Sequence, residues 1–417
     1  MRRRIVLFCV PFLMSFMVAS SVICGDGVCS AVVQPLNTPR ISALLRAGAA
    51  ADAMGAQVEF FGHCAEGFFK KHEDGVRWPA CLTGVHDALS LATGSQTSAL
   101  MVTDDTIMTE LTLKEIQTWG FLPEGERTFE RLMDTIAKAT LANYEVRDTE
   151  GSYSWADGRR APGAQCIKAI KEYAQGRCWD RSLAKRRAVG FEGGSGKVMD
   201  SAPFGCAFKE ATVAAHGAQM HSKISHPDVV SQAACAAFAY GISSALYTNK
   251  PLGDLIAGMK QIATAVSAAN RVAEGREWRA AKAYWPCWRH NNSSRPYTVA
   301  ERIADVERDV ERKVVLEKIL QKHGGWGAPD LIAAVVGTAL WAELKGWTVK
   351  EAVLAVINAD SLPGGIDRDT VASAAAHFLA ARGLPLGFSE EELCLIERDE
   401  SRRAVDYGGG LDAAVSD

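Results

Sequence analysis

Residues 227–247 read PDVVSQAACAAFAYGISSALY. After the opening Pro227-Asp228 the run is built of alanine, serine, glycine and apolar residues, with no charge. Alanine is the best helix former, and small side chains let a second helix approach closely. Residues 201–219 are likewise Ala-rich and suited to close helix packing. Working outward, Ile41, Leu44, Leu45, Ala49, Ala53 and Val58 fall near helical spacing over 39–62. Residues 104–118 carry Ile107, Met108, Leu111 and Ile116 behind Thr103, a good N-cap. Further helices are predicted over 124–147, 163–175, 300–322, 328–345, 349–359 and 370–382. No series of alternating strands interrupts them. The pattern predicts one all-α domain over 39–400.

The bulk properties are those of a globular protein. The 417 residues are 48% hydrophobic and 23% charged, with a net charge of −3. That balance gives no general attraction to nucleic acid, and no nucleic-acid partner is expected. Arg2-Arg3-Arg4 followed by an apolar run from Ile5 to Ala19 reads as a signal peptide within 1–31, cleaved after Ser20 or Ala31. The run is shorter than the roughly 20 residues of a membrane span, so export to periplasm or medium is expected, with no membrane contact beyond this peptide. The stretch 401–417 reads as a flexible tail. The eleven cysteines contain no C-x-x-C pair, which argues against a zinc ribbon. Cys64 and Cys81 could pair in an oxidising compartment, whereas Cys206 and Cys235 read as small buried hydrophobes.

Two acidic clusters stand at predicted helix starts: Thr103-Asp104-Asp105-Thr106 and Asp367-Arg368-Asp369-Thr370. Either alone is explained by helix capping, since a helix N-terminus favours anions. Together the four carboxylates would repel unless cations neutralise them, and oxygen-only ligands select a hard ion such as magnesium, manganese or calcium.

Thr-Asp-Asp-Thr before a helix, with a distal Gly-Gly-x-Asp-x-Asp-Thr loop before an Ala-rich helix, resembles the ADP-ribosylglycohydrolase family. Gly48-Ala49-Ala50-Ala51-Asp52-Ala53-Met54-Gly55-Ala56-Gln57-Val58-Glu59 looks like the family's G-x-x-x-D-x-x-G-x-x-x-E opening helix. Arg160-Ala161-Pro162-Gly163 looks like its R-x-P-G turn, and Ser225-His226-Pro227-Asp228 resembles its T-H-x-x segment. The five segments run in order across residues 41–382.

The resemblance implies a compact orthogonal helical bundle with a central binuclear metal cleft holding two Mg ions, or Mn. The implied metal ligands are Thr103, Asp104, Asp105, Asp367, Asp369 and Thr370. Glu59, Asp104, Asp105 and Asp369 are the implied catalytic residues, Glu59 as an acidic group at the cleft. Its plainer reading is a solvent-facing helix residue. His226 matches a histidine near the substrate's ribose, although a lone His before Pro is often a helix-start residue.

Gly193-Gly194-Ser195-Gly196-Lys197 tempts a P-loop reading, but that pattern needs a hydroxyl after the lysine and Val198 stands there. It instead resembles the family's glycine loop, which makes Gly194, Ser195 and Gly196 implied substrate contacts through backbone N–H groups. Three departures stand out. Asp200 replaces a frequent Arg, which either removes a cation near the ligand or reverses a local ion pair. Ala51 replaces a glycine, and Ile366 lengthens the distal loop. Trp278, Trp285 and Trp288 with Arg276, Arg279 and Arg289 could grip a substrate, but core packing under snorkelling arginines is the commoner arrangement.

The implied activity is hydrolysis of the glycosidic bond between ADP-ribose and an acceptor, an ADP-ribosylated protein side chain with arginine first, by a monomeric enzyme. Such a reaction builds oxocarbenium-like charge on the ribose. The alternative of a different class is a non-catalytic ADP-ribose-binding or toxin-neutralising protein that keeps the fold.

Overall fold

A computed structural model describes residues 32–36, 38–59, 85–86, 88, 100, 102–149, 163–181, 193–269, 298–359 and 366–396. The expected signal peptide, Cys64 and Cys81, Arg160 to Pro162, the Trp278–Trp288 stretch, the loop 361–365 and the tail 401–417 lie outside these residues. The structure is all-α: fourteen α-helices and no sheet occur among the described residues. In chain order they are α1 (Pro39–Glu59), α2 (Asp104–Gly120), α3 (Phe129–Thr149), α4 (Ala164–Ala174), α5 (Ala202–Ala207), α6 (Ala211–Ser222), α7 (Val229–Tyr247), α8 (Leu252–Ala269), α9 (Val299–Glu311), α10 (Leu316–His323), α11 (Ala328–Lys345), α12 (Val349–Ile357), α13 (Arg368–Ala381) and α14 (Glu390–Cys394).

The alanine-rich run that suggests the class is the middle of the core. Nearly every residue of α7 is buried, and it packs against α5, α6, α8, α11 and α13. Its length and hydropathy would suit a membrane span, but 94% of the apolar window is covered by protein. The most extensive helix pairing joins α1 to α13, the first long helix to the last. Side chains cap the starts: Thr298, Thr348 and Ser389 each form a capping box with the glutamate three residues on. At the far ends of α7 and α13, Arg40 donates to the carbonyls of Ala245, Leu246 and Ala381.

Some elements differ from the expectation. The helix predicted over 201–219 is two helices, because Phe208 is extended and pairs as an isolated bridge with Val33. Phe208 then joins Trp119, Phe129 and Phe204 in an aromatic cluster, with ring centroids 5.7 to 6.5 Å apart. Tertiary packing of one aromatic residue outweighs local helix preference there. The helix predicted over 300–322 also breaks, at Lys313 with φ 59, so that α10 folds back and Lys322 reaches Asp305 and Asp309 on α9. Helix α8 is absent from the prediction, although Leu252, Leu255, Ile256, Met259, Ile262 and Val266 give it a buried helical stripe.

Candidate metal centre

The site begins at Asp52, a fully buried carboxylate in the small-residue helix α1. Its Oδ2 accepts from the backbone N–H of Thr103 at 2.9 Å and of Thr106 at 3.2 Å. Its oxygens also accept from the hydroxyls of Thr103 at 2.7 Å and Thr106 at 2.5 Å. One aspartate thereby satisfies donors that the start of α2 leaves over and fixes the Thr-Asp-Asp-Thr turn to α1. Thr103 is itself the N-cap, its hydroxyl accepting from the Asp105 N–H.

The second cluster arrives from the start of α13. Thr370 donates through its hydroxyl to Asp105 Oδ2 at 3.1 Å, which ties the two expected clusters directly. A Cβ on Gly55 would lie 2.5 Å from the Asp369 Cα, so only glycine lets α1 and α13 close to this distance. The result is that Asp52, Asp105 and Asp369 each offer a carboxylate oxygen within 4.8 Å of the others. Asp104 and Asp367 complete the group; both are buried.

Its electrostatics are one-sided. Among the described residues no lysine, arginine or histidine forms an ion pair with Asp52, Asp104, Asp105 or Asp367. Burial, and then the charge of Asp369, pushes Asp52 up to about 6. Burial followed by Asp369 and Asp52 pushes Asp104 and Asp105 well above the carboxylate range. Burial also lifts Asp367 to about 6, against hydrogen bonds from its neighbours, Ser195 included. Asp105 Oδ1 is buried with no hydrogen-bond partner. A set of crowded hard-oxygen donors with an orphaned carboxylate oxygen fits a divalent cation. Asp52, Asp105 and Asp369 are the residues whose oxygens lie close enough to share one, with Asp104, Asp367 and Thr370 nearby.

The structure brings together all six expected metal residues and adds Asp52, which the sequence-based metal set leaves out. The signal was present: an aspartate three residues before Gly55 in a face lined by the small residues Gly48, Ala49, Gly55 and Ala56. Glu59 is the last residue of α1 as described. The glycine loop lies against the second cluster, with Ser195 Oγ donating to Asp367 Oδ2 at 3.3 Å. His226 sits behind that loop: it is 4% exposed, and Cβ atoms on Gly194 and Gly196 would meet its ring at 3.2 and 3.1 Å. Its Nδ1 shares a hydrogen bond with the Ser225 hydroxyl at 2.8 Å. In this geometry His226 supports the loop from below.

Asp200 resolves into the second of its two alternatives, a local ion pair. It is fully buried, with Lys197 Nζ at 2.6 Å and His221 Nε2 at 3.6 Å. Burial and then the Lys197 charge lower the His221 pKa well below its usual value, so the imidazole is neutral. Cys206 and Cys235 are buried thiols, as expected from their alanine-rich surroundings.

A family model described as ADP-ribosylglycohydrolase matches residues 35–389. Among solved structures, one titled "ADP-ribosylglycohydrolase-related protein complex" is similar over 90% of this chain and 97% of its own, with a TM-score of 0.51 and 17% identity. That likeness concerns the fold. A search of curated proteins returns no match.

Proposed function

Because the chain belongs to the ADP-ribosylglycohydrolase family and is thus a glycosidic-bond hydrolase acting on ADP-ribosylated substrates, we propose that it removes ADP-ribose from modified protein side chains, arginine first. The observation that carries the reading is the buried five-aspartate group with its unpartnered Asp105 oxygen. Two magnesium ions, or manganese, are the proposed occupants; bound there, they would orient the ribose hydroxyls and acidify a water. Asp104, Asp105, Asp367 and Asp369 hold the charge that binds them. Asp52 keeps Thr103 and Thr106 in place and so fixes the direction of Asp104 and Asp105. Glu59 is proposed as the base that takes the proton of the attacking water. Ser195 and the backbone of Gly194 and Gly196 approach the phosphates, with the loop stiffened by His226 beneath it. The N-terminal Arg2–Ala19 pattern supports export, which would place the enzyme where secreted ADP-ribosylating factors act.

The test is release of free ADP-ribose from ADP-ribosyl-arginine with Mg²⁺, by wild type and Asp369→Ala. Turnover by wild type, lost by roughly 10³-fold or more in the variant, is expected for a ligand on which the reaction's electrostatics rest. Turnover of ADP-ribosyl-serine or acetyl esters alone would move the acceptor. Binding of ADP-ribose with no turnover on any of them would overturn the enzymatic reading.

A further inference from the structure

Arg368 stands between two of the site's aspartates, yet its guanidinium serves other partners. It is 8% exposed. Its Nη1 donates to the Val58 carbonyl at 2.9 Å and its Nη2 to the Ala359 carbonyl at 2.8 Å. Val58 is the penultimate residue of α1, and Ala359 lies just beyond the end of α12. Both are backbone carbonyls that accept charge-assisted hydrogen bonds from the one guanidinium. One side chain therefore ties three pieces of backbone: the last turn of α1, the exit of α12 and the Asp367–Asp369 turn.

The neighbouring contact explains why such a tie is needed. At Gly55 the backbones of α1 and α13 touch with no side chain between them. A bare glycine contact permits close approach but keys no rotation of the helix turn beyond it. That turn ends in Glu59. Arg368 supplies the directional restraint, and its planar fork reaches two carbonyls where a lysine ammonium has no fixed fork to offer.

We propose that Arg368 is a positioning residue that holds the last turn of α1, and with it Glu59, in register with the acidic site. The proposal rests on the reading of Glu59 as the base. Its test is a double-mutant cycle on ADP-ribosyl-arginine hydrolysis with Arg368→Met, Glu59→Gln and the pair, recording kcat, KM and the Mg²⁺ concentration for half-activation. Arg368→Met is expected to lower kcat about 10- to 100-fold with KM and half-activation within about threefold of wild type. The double variant is expected to be no more than about threefold slower than Glu59→Gln, because both changes remove one function. Multiplying losses, or a loss that appears only as weaker Mg²⁺ activation, would overturn the positioning role while leaving the base intact. Full activity of Glu59→Gln would remove the base and the proposal with it.

Arg368→Lys replaces Arg368→Met in the same cycle if the latter does not fold, with a smaller loss in kcat expected. Hydrogen exchange of Arg368→Lys reads the tie without turnover. Faster exchange confined to the end of α1 and the exit of α12 is expected. Unchanged exchange there, or loosening spread evenly over the helices, overturns the proposal.

Discussion

Among the described residues, two groups of acidic side chains have the spacing of a cation site, and they have solved the same electrostatic problem differently. Asp305 and Asp309, four residues apart on α9, lie with His323 in a partly exposed group. Lys322 stands between them, its Nζ 2.6 Å from Asp305 and 2.7 Å from Asp309. Burial pushes Asp305 up, but the hydrogen bond and charge of Lys322 outweigh it and the pKa is lowered. The Asp52–Asp105–Asp369 group is buried throughout, and every one of its shifts that is resolved runs upward. The first group carries its own cation in Lys322; the second, whose oxygens could hold a metal ion, has no lysine, arginine or histidine paired with Asp52 or Asp105 among the described residues. The lysine between the carboxylates of one group separates it from the other, and the opposite directions of their pKa values follow from that difference and from burial.

The largest expected effect that sharpens this contrast comes from Asp52→Ala. It frees Thr103 and Thr106 from α1 and should weaken divalent binding by about 10- to 100-fold, as loss of a group that orients ligands does. Titration with Mn²⁺ followed by calorimetry reads it, and unchanged affinity would mean that Asp52 only fills space.

An intermediate effect is the response to pH. The folded-state pKa values of Asp52 and Asp367, about 6, lie above the unfolded carboxylate value, so the folded protein binds the extra protons between roughly pH 4 and 6. Metal-free protein should therefore lose stability as pH rises through that window. A divalent ion needs the ionised carboxylates, so Mg²⁺ should raise Tm more at pH 7.5 than at pH 5.5. Melting with Mg²⁺ and with chelator at both values decides it; a larger rise at the lower pH would contradict the assignment.

The smallest effect belongs to the group that already holds a cation. Lys322→Met removes a partly exposed ion-pair centre and should cost about 1 kcal/mol or less, shrinking further in salt. It should leave the Mg²⁺-dependent rise in Tm unchanged. If instead that rise changes, the two groups are not the independent sites described above.

How much of this was readable from the chain depends on how local each signal is. Thr103 to Thr106 and Asp367 to Thr370 announce themselves, because caps and adjacent carboxylates are features of a few neighbouring residues. Asp52 carries a weaker mark, since its donors are on residues 103 and 106 and only the packing of α1 on α2 brings them together. His226 is a readable candidate by its motif, but that it lies against Gly194 and Gly196 is visible only in the fold. The single helix expected over 300–322 failed because apolar spacing continues through Lys313 while the backbone reverses there. Helix α8 has its stripe of Leu252, Leu255, Ile256, Met259, Ile262 and Val266 in plain view in the chain.

The sequence by itself determined the all-α class, the caps that start the helices and the supply of carboxylates, because helical periodicity and capping act over one or two turns. Only the tertiary structure decided which carboxylates meet, which of them find a lysine and which remain without one. Those outcomes hang on contacts between distant residues: Gly55 against Asp369, Thr370 to Asp105, Arg368 to Val58 and Lys322 to Asp305. The reason is physical. A charge's partner is set by where the chain returns in space, and burial then sets how costly it is to leave that charge without one.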